Sequence, residues 1–403
     1  MFRHWRSPPR GRRRTETGRR VYSVVAYGEM VADRIRTDAY ARALQAATAP
    51  GMTILDIGTG ATGILAILAC KHGAERVYAV EPDDSIHLAR EIARANGYAD
   101  RITFIQGLST AVELPQKVDV IVSDLRGILP MRQRHVPAIM DARERFLSPG
   151  GKLIPQQDRL WAALAEAPGL YQRYLDPWSD GAHGVDLQVG RRLATNTWRK
   201  GRVAAGELLT APACWATLDY RSIQRSEVYG EIRSPVLHEG TAHGLCVWFE
   251  AVLVEGVEFS NAPGAPELIY GQAFFPLAEP TPVCVGDAVE IDIRADLVAE
   301  DYVWRWATRI VGQGSPPAVK AEFKQSTFFG APLSLGRLRK RAANHVPSLS
   351  ADGQVRSFAL SLMDGRTSLE RIAEQLAARF RDRFGDSRDA LAVVADLSEK
   401  YGR

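Results

Sequence analysis

The spacing of apolar residues predicts a parallel sheet in the first part of the chain. Between about residues 50 and 165, short β-branched runs alternate with helical stretches; the runs read MTILDIG, RVYAVEP, ITFIQG, VDVIVSD and GKLIP. The intervening stretches include ILAILACKH, SIHLAREIARAN and the region after Gly127. Strands separated by helices of this length form βαβ units, so this part is expected to be an α/β domain.

The pattern changes twice further along the chain. From about 166 to 325, alternating runs such as HGLCVWFEAVLVEG, AVEIDIRADL and DYVWRWATRIV are divided by turns rich in proline and glycine, which predicts antiparallel strands. From about 330 onward the spacing becomes helical and is interrupted at Asp364-Gly365, with Thr367 and Ser368 as caps for the next helix. A chain of 403 residues is long enough for several cores of this kind.

Charge is concentrated at one end of the chain. Residues 1–20 contain eight arginines and one acid, Glu16, a composition typical of a solvated disordered arm; a transit-type or RNA-touching segment is the alternative. The net charge of +4 is too small to predict a nucleic-acid partner. No apolar stretch is long enough to predict a membrane span or a signal peptide.

The cysteines give no sign of a metal site or of a disulfide framework. Cys70, Cys214, Cys246 and Cys284 are widely separated, with no C-x-x-C pair and no histidine at metal-binding spacing. We therefore expect four buried, reduced thiols in a cytoplasmic protein that binds no metal.

A glycine-rich turn between two acids marks a candidate cofactor site. Asp56 ends the first strand, Gly58, Gly60 and Gly63 form the turn, and Glu81 ends the next strand. Glycines allow close approach of a ligand to the backbone, and the following helix presents free N–H groups to it. An acid at the end of the second strand is well placed for a ribose diol. A dinucleotide oxidoreductase shows the same pattern, so these residues alone leave both classes of cofactor open.

A second segment resembles a particular enzyme family. The spacing M-x-x-D-x-x-R-T-x-x-Y ahead of the first strand resembles the N-terminal cofactor lid of protein arginine methyltransferases; its residues are Met30, Asp33, Arg36, Thr37 and Tyr40. ILDIGTGATGIL resembles the first motif of class I S-adenosylmethionine methyltransferases, and VDVIVSDLRG resembles their fourth-strand motif. The resemblance extends from about Tyr22 to about Val311. No Tyr/Lys pair for hydride transfer follows the fourth strand, which disfavours the oxidoreductase.

The resemblance implies S-adenosylmethionine as the cofactor. Asp56, Gly58 and Gly60 would line its methionine end, and Glu81 would bind its ribose hydroxyls. Gly107 and Leu108 would lie under the adenine. Arg36 would pair with the cofactor carboxylate, for which a planar guanidinium is well suited. One departure from the family spacing is Ala61, which lengthens the glycine turn by one residue.

The resemblance is weaker at the expected catalytic residues. Arginine methyltransferases hold the substrate guanidinium between two glutamates; here the first position is Asp124 and the second is the neutral Gln133. The family's T-H-W loop reads Leu268-Ile269-Tyr270, without the histidine, and Met30 occupies the position of an active-site methionine. Three interpretations follow. The enzyme methylates arginine through a loosened clamp, or it methylates another nucleophile with Asp124 as base or anchor, or it binds cofactor without turnover.

The C-terminal residues resemble a different family. The stretch from about 335 to 403, with SFALSLMDGRTSLERIAEQL, resembles the winged-helix peptide-recognition domains typified by the D protein of pyrroloquinoline quinone synthesis. That resemblance implies capture of a leader peptide as an added strand at a sheet edge, beside a helix groove. The alternative is a helical tail that packs on the body or drives dimerisation.

Together these patterns predict four segments. A disordered basic arm (1–20) precedes a Rossmann-like α/β methyltransferase domain (21–165), an antiparallel β-barrel-like substrate domain (166–325) and a winged-helix-like peptide-recognition domain (335–403). We expect methyl transfer to a peptide or protein, plausibly a ribosomally made peptide held through its leader, with no nucleic acid or membrane as partner. A homodimer is compatible with this interpretation. The alternatives are a peptide-recruiting adaptor without turnover and a true protein arginine N-methyltransferase.

Overall fold

The computed structural model describes residues 22–179, 182–314 and 316–402. The basic arm predicted for residues 1–20 lies outside these ranges. The helices are α1 (Val24–Ala32), α2 (Arg34–Ala47), α3 (Ile64–Lys71), α4 (Ile86–Ala95), α5 (His135–Phe146), α6 (Pro168–Leu175), α7 (Gln188–Ala194), α8 (Leu335–Lys340), α9 (Ala351–Ser361), α10 (Leu369–Arg379) and α11 (Ser387–Tyr401). The strands are β1 (Thr53–Ile57), β2 (Arg76–Glu81), β3 (Ile102–Gln106), β4 (Val118–Ser123), β5 (Leu147–Ile154), β6 (Gln157–Ala165), β7 (Arg199–Gly201), β8 (Ala213–Asp219), β9 (Val228–Pro235), β10 (Gly240–Val254), β11 (Val257–Ser260), β12 (Gln272–Val283), β13 (Ala288–Val298), β14 (Asp301–Val311) and β15 (Val319–Ser326).

Strands β1 to β5 form one parallel sheet in the order β3-β2-β1-β4-β5. All five residues of β1 are buried, as expected for a central strand covered on both faces by helices. The predicted Rossmann-like parallel sheet is confirmed. Since β1 pairs in parallel with both β2 and β4, the carboxyl ends of these three strands meet at one edge of the sheet. The predicted cofactor acids and Asp124 therefore come together at this edge.

The middle of the chain forms two antiparallel sheets. One contains β7-β12-β10-β6-β8, with β11 paired to β10, and the other contains β15-β14-β13-β9. Antiparallel pairing is confirmed, but β6 already belongs to the first of these sheets, so the change of architecture comes before the predicted boundary at residue 165. β6 follows β5 directly, and its partners lie in β8 and β10 rather than in the parallel sheet.

The two antiparallel sheets meet through aromatic side chains. Phe275 on β12 lies 5.0 Å from Trp306 and 5.6 Å from Trp304, both on β14, measured between ring centroids. Edge-to-face packing of this kind excludes water between the sheets. Among the described residues no ladder of backbone hydrogen bonds joins the two sheets, so the predicted barrel is not closed. The domain is better described as two sheets packed on each other.

The chain divides after Pro332 into two compact units. The second unit has a separate apolar core formed by side chains of α9, α10 and α11, with Val355, Ile372, Leu376, Val394 and Leu397 buried. Residues 333–402 contain four helices and no strand. The predicted sheet edge for an added peptide strand is therefore absent from this unit, because the segment before α9 forms the short helix α8 and irregular chain rather than a hairpin.

Two further features follow from the described residues. All four cysteines are free thiols; Cys70 and Cys246 are buried as expected, whereas Cys214 and Cys284 are exposed, so the prediction of four buried thiols is wrong for these two. Across the ranges that the structure describes, no helix has both the length and the apolar character needed to cross a lipid bilayer.

Candidate functional site

The glycine turn after β1 forms a tight backbone cradle. Gly58 and Gly60 have φ values of +74° and +62°, which L side chains rarely adopt. A Cβ added at Gly60 would lie 2.7 Å from the ring of Tyr27, and one at Gly58 would lie 2.3 Å from Leu125. A side chain at either position would therefore strain the backbone and displace its neighbour. The helix α1, which carries Tyr27, lies directly over the turn.

Asp56 at the end of β1 is completely buried beneath this turn. Thr59 donates a hydrogen bond from Oγ1 to Asp56 Oδ2 at 2.6 Å, and Oδ1 has no partner among the described residues. Burial raises the pKa of Asp56 to about 7, although the hydrogen bond from Thr59 opposes the shift. A buried carboxylate oxygen that lacks a donor is suited to a ligand that brings one, such as an ammonium group.

Glu81 lies beside Asp56 at the carboxyl edge of the sheet. The backbone N–H of Gly60 donates to Glu81 Oε2 at 3.0 Å, and the N–H of Asp83 donates to Oε1 at 3.1 Å. Gly107 follows β3 and donates its N–H to the carbonyl of Glu81 at 3.1 Å, while the next residue, Leu108, is exposed. The predicted ribose and adenine positions thus lie along neighbouring strand ends.

Arg36 lies on α2 and makes a buried ion pair with Asp124. Its Nε donates to Asp124 Oδ2 at 2.5 Å and to the Tyr270 hydroxyl at 3.1 Å, and its Nη1 donates to the carbonyl of Met30 at 3.3 Å. We predicted Arg36 as the partner of a cofactor carboxylate; in this structure its nearest carboxylate is Asp124. The cofactor-lid segment is thereby connected to the predicted catalytic acid.

Asp124 at the end of β4 is the centre of a polar cluster. Tyr270 donates its hydroxyl to Asp124 Oδ2 at 2.6 Å, so this oxygen receives hydrogen bonds from two side chains. Burial by itself would raise the pKa of Asp124, but Arg36 and Arg126 hold it below the usual range. The acid is therefore ionised at neutral pH, and it is a weak proton acceptor.

The lid and the domain of antiparallel sheets are joined at a second point. Asp33 caps α2 by accepting the backbone N–H of Arg36 at 3.1 Å on Oδ1, and its Oδ2 accepts the N–H of Ile269 at 2.7 Å. Tyr40, also on α2, donates its hydroxyl to the carbonyl of Ser123 at 3.0 Å. One helix thus contacts both the end of β4 and the loop that carries Tyr270.

The structure does not bring Gln133 to Asp124 through any hydrogen bond between described residues. Gln133 is half-buried with φ +46°, and its N–H donates to Asp301 at 3.2 Å. His135, two residues further on and the first residue of α5, could serve as a base by its residue type, but it is buried against Tyr220, and burial together with Arg126 lowers its pKa to about 3. A histidine that stays neutral and buried at the start of a helix is a structural residue rather than an exposed base.

Two residues of the cluster were not assigned a role from the sequence. Tyr270 was noted only as part of a loop without its histidine, and Arg126 was not singled out at all. Arg126 is fully buried, with Nη2 3.3 Å from Asp158 Oδ1 and Nη1 4.0 Å from Asp124 Oδ1. An arginine two residues after a strand-end acid is the only sequence signal that points to it.

No set of three or more metal-binding side chains is found within the described ranges. The polar cluster at the sheet edge consists of guanidinium, phenol and carboxylate groups, which pair with one another. Its chemistry is that of cation and hydrogen-bond recognition.

A family model and individual relatives match this chain. The model for ribosomal protein L11 methyltransferase (PrmA) matches residues 36–154. Protein arginine N-methyltransferase 6 of Xenopus tropicalis is 30% identical over 270 residues, covering 64% of this chain and 79% of the relative. A probable protein arginine N-methyltransferase 6 of Arabidopsis thaliana is 30% identical over 247 residues, and the chain spans 55% of its length.

Solved structures show the same fold at lower identity. A Trypanosoma brucei PRMT1 enzyme–prozyme heterotetrameric complex with AdoHcy has a TM-score of 0.67 at 22% identity, covering 75% of this chain and 97% of that one. Arabidopsis thaliana protein arginine methyltransferase 10 has a TM-score of 0.65 at 24% identity, with the same two coverages. These likenesses establish the fold.

The replacement Asp56→Asn should change how the stability of the ligand-free protein depends on pH. The carboxyl of an unfolded aspartate titrates near about 3.9, whereas burial raises the pKa of Asp56 to about 7. Its contribution to stability is present at low pH and is lost as the pH rises between about 4 and about 7. The Asn variant should therefore gain unfolding free energy relative to wild type across this window and level off above it.

Urea unfolding at several pH values across that window measures the effect, with Asp100→Asn as a control that removes an exposed carboxyl. A difference between wild type and Asp56→Asn that stays constant with pH would contradict the assignment.

Proposed function

This chain belongs to the protein arginine methyltransferase family, and we propose that it transfers a methyl group from S-adenosylmethionine to a peptide or protein. The observation that carries this proposal is the arrangement at one sheet edge. The glycine turn with Asp56 and Glu81 lies next to Asp124, which is held by Arg36 from the lid. A cofactor site and an acceptor site are thereby adjacent.

The residues at the edge fit the cofactor. The positive φ values favour glycine at positions 58 and 60, and the unpaired Asp56 Oδ1 suits the ammonium of a methionine group. Glu81 presents carboxylate oxygens to a ribose diol, and the guanidinium of Arg36 suits a carboxylate. When bound, S-adenosylmethionine supplies an electrophilic methyl group on a positively charged sulfur.

Asp124 acts as an anchor for the acceptor rather than as a strong base. Since Arg36 and Arg126 keep its pKa low, it stays ionised and accepts hydrogen bonds. A carboxylate that accepts an N–H or O–H of the acceptor orients the lone pair of the acceptor atom and stabilises the positive charge that develops there. Tyr270 fixes the carboxylate through its hydroxyl. The proton released by the acceptor passes to water.

The acceptor atom we favour belongs to a nucleophile other than arginine, because Gln133 supplies no second charge. Arginine is the second candidate, and the names of the relatives support it. The burial of Asp124 in an ion pair with Arg36 favours a third candidate, a cofactor-binding adaptor without turnover.

We also propose that residues 333–402 bind the peptide substrate through its leader. This unit has its own core, and the segment before α9 exposes apolar side chains: Leu335 (69% exposed), Val346 (88%) and Leu349 (61%). Arg337, Arg339 and Lys340 lie on α8 within the same segment. Apolar and basic groups together suit an amphipathic acidic peptide bound along helices.

The methyltransferase proposal is tested by binding and turnover together. Titration calorimetry should show binding of S-adenosylhomocysteine but not of NAD. Removing the carboxylate in Glu81→Gln should weaken this binding by about 1–3 kcal/mol, because one of the two acceptor oxygens becomes an amide NH2 group that cannot accept a ligand hydroxyl, and the charge is lost. Stronger binding of NAD than of S-adenosylhomocysteine would overturn the proposal.

In the same experiment Asp124→Asn should still bind S-adenosylhomocysteine. Its rate of methyl transfer to a peptide library should fall by about 100-fold or more. The control is Asp119→Asn, which removes a carboxylate from the other end of β4. Equal turnover in wild type and Asp124→Asn would exclude the anchor role.

Removing residues 333–403 should weaken peptide binding without affecting the cofactor. The probe is a fluorescent acidic peptide of about 20 residues with leucines at helical spacing, for which a roughly micromolar dissociation constant is expected. A full-length variant with Arg337→Glu and Arg339→Glu, which leaves the α9–α11 core intact, should show the same loss. If neither change alters peptide affinity, the unit has another role.

A further inference from the structure

Arg126 is a guanidinium enclosed within the candidate acceptor site. Its side chain has no exposed surface, and none of its three side-chain nitrogens makes a hydrogen bond to a described residue. Its nearest charged atoms belong to Asp158, at 3.3 Å, and to Asp124, at 4.0 Å. A fully buried guanidinium is costly unless carboxylates and aromatic faces surround it.

Two aromatic rings complete these surroundings. The Arg126 guanidinium carbon lies 5.3 Å from the centre of the Phe249 ring and 5.5 Å from that of Phe259. These rings belong to β10 and β11, and their centroids are 6.1 Å apart. Aromatic faces attract cations, and the attraction is stronger when water is excluded. The pocket therefore has the composition of a guanidinium-binding site, and a side chain of the same protein fills it.

The groups behind Arg126 hold it in this position. Asp158 lies on β6 and is wholly buried; the Tyr220 hydroxyl donates to its Oδ2 at 2.5 Å. Because Tyr220 uses its only hydroxyl hydrogen there, the Nε2–H of His135 donates to the Tyr220 oxygen at 3.1 Å. Since burial and Arg126 keep His135 neutral, it adds no charge to the site.

The charge balance at Asp124 opposes a third guanidinium. This carboxylate already faces Arg36 at 2.5 Å and Arg126 at 4.0 Å, and Gln133 adds no negative charge. An arginine side chain brought to Asp124 would meet two like charges in surroundings from which water is excluded. Like charges at such distances repel strongly where the effective dielectric constant is low. An uncharged acceptor avoids this repulsion.

We propose that Arg126 determines the class of acceptor: it occupies the position of a substrate guanidinium, so the enzyme binds an uncharged side chain in preference to arginine. This inference rests on the proposed methyl transfer at the same site. Arg126 is therefore a specificity-determining residue. Its positive charge selects the acceptor, and it does not act through contact with the methyl donor.

The test compares peptides that differ only in one charge. A peptide pool with one central arginine is matched with the same pool carrying citrulline, whose urea group has the shape of a guanidinium without its charge. Binding to the protein saturated with S-adenosylhomocysteine is measured by fluorescence anisotropy. The main variant is Arg126→Met/Asp158→Asn, in which the paired acid is neutralised together with the arginine. The ratio of the affinity for the arginine peptides to that for the citrulline peptides should be at least tenfold higher in this variant than in wild type.

Two further variants act as controls, and a third replaces the double variant if needed. Arg126→Lys retains the charge and should keep the wild-type ratio, and Asp158→Asn alone should keep it as well. Arg126→Gln supplies the measurement if the double variant fails to fold, since glutamine can donate a hydrogen bond to Asp158.

The proposal would be overturned if the affinity ratio were the same as in wild type in both Arg126→Met/Asp158→Asn and Arg126→Gln, the two variants that lack the charge of Arg126. Binding of S-adenosylhomocysteine to each variant is measured separately. If the wild-type protein does not bind S-adenosylhomocysteine, the proposed function itself is refuted. If S-adenosylhomocysteine binds but the ratio of arginine to citrulline affinity is unchanged, only the role of Arg126 is refuted.

Discussion

The buried ion pair between Arg36 and Asp124 is the interaction on which the site depends. Two charges removed from water are unfavourable unless each finds a partner, and here each is the closest partner of the other. Arg36 lies on α2 within the lid segment, whereas Asp124 directly follows β4, an inner strand of the parallel sheet. The pair therefore connects the segment over the glycine turn to the position where an acceptor would bind.

Further contacts reinforce this connection. Tyr270 reaches Asp124 from a loop between the antiparallel strands β11 and β12, and Asp33 binds the backbone of the same loop. Three parts of the chain that are distant in sequence thus converge on one carboxylate. Among the described residues, loss of Arg36 would leave Arg126 as the remaining charged neighbour of Asp124. Under the proposed function, acceptor recognition and lid position would therefore be coupled through this acid.

Much of the site was predictable because it depends on local patterns. Acids at the ends of β1, β2 and β4 meet at one edge of a parallel sheet, so Asp56, Glu81 and Asp124 could be grouped from strand order alone. The glycine turn was predictable for a similar reason, since the required positive φ values are encoded by residue type.

The remaining features depend on contacts between distant residues. Tyr270 lies 146 positions from Asp124, and the pairing of Arg126 with Asp158 depends on how β6 passes behind the acceptor site. No periodic pattern encodes either contact. The helical spacing in the C-terminal unit predicted helices, and the unit has them. The strands that the resemblance implied are missing from residues 333–402. A helical spacing of apolar residues predicts a helix in the segment that shows this spacing. It does not predict whether the neighbouring segments form strands.

A double-mutant cycle on Arg36→Met and Asp124→Asn tests the central claim most directly. Unfolding free energies are measured for wild type, both single variants and the double variant, with and without saturating S-adenosylhomocysteine. We expect a coupling of about 1–3 kcal/mol in the ligand-free protein, as for charged side chains in direct contact. The coupling should fall when the ligand is bound, because the ligand carboxylate then shares Arg36. A coupling near zero, or one that the ligand leaves unchanged, would contradict the account.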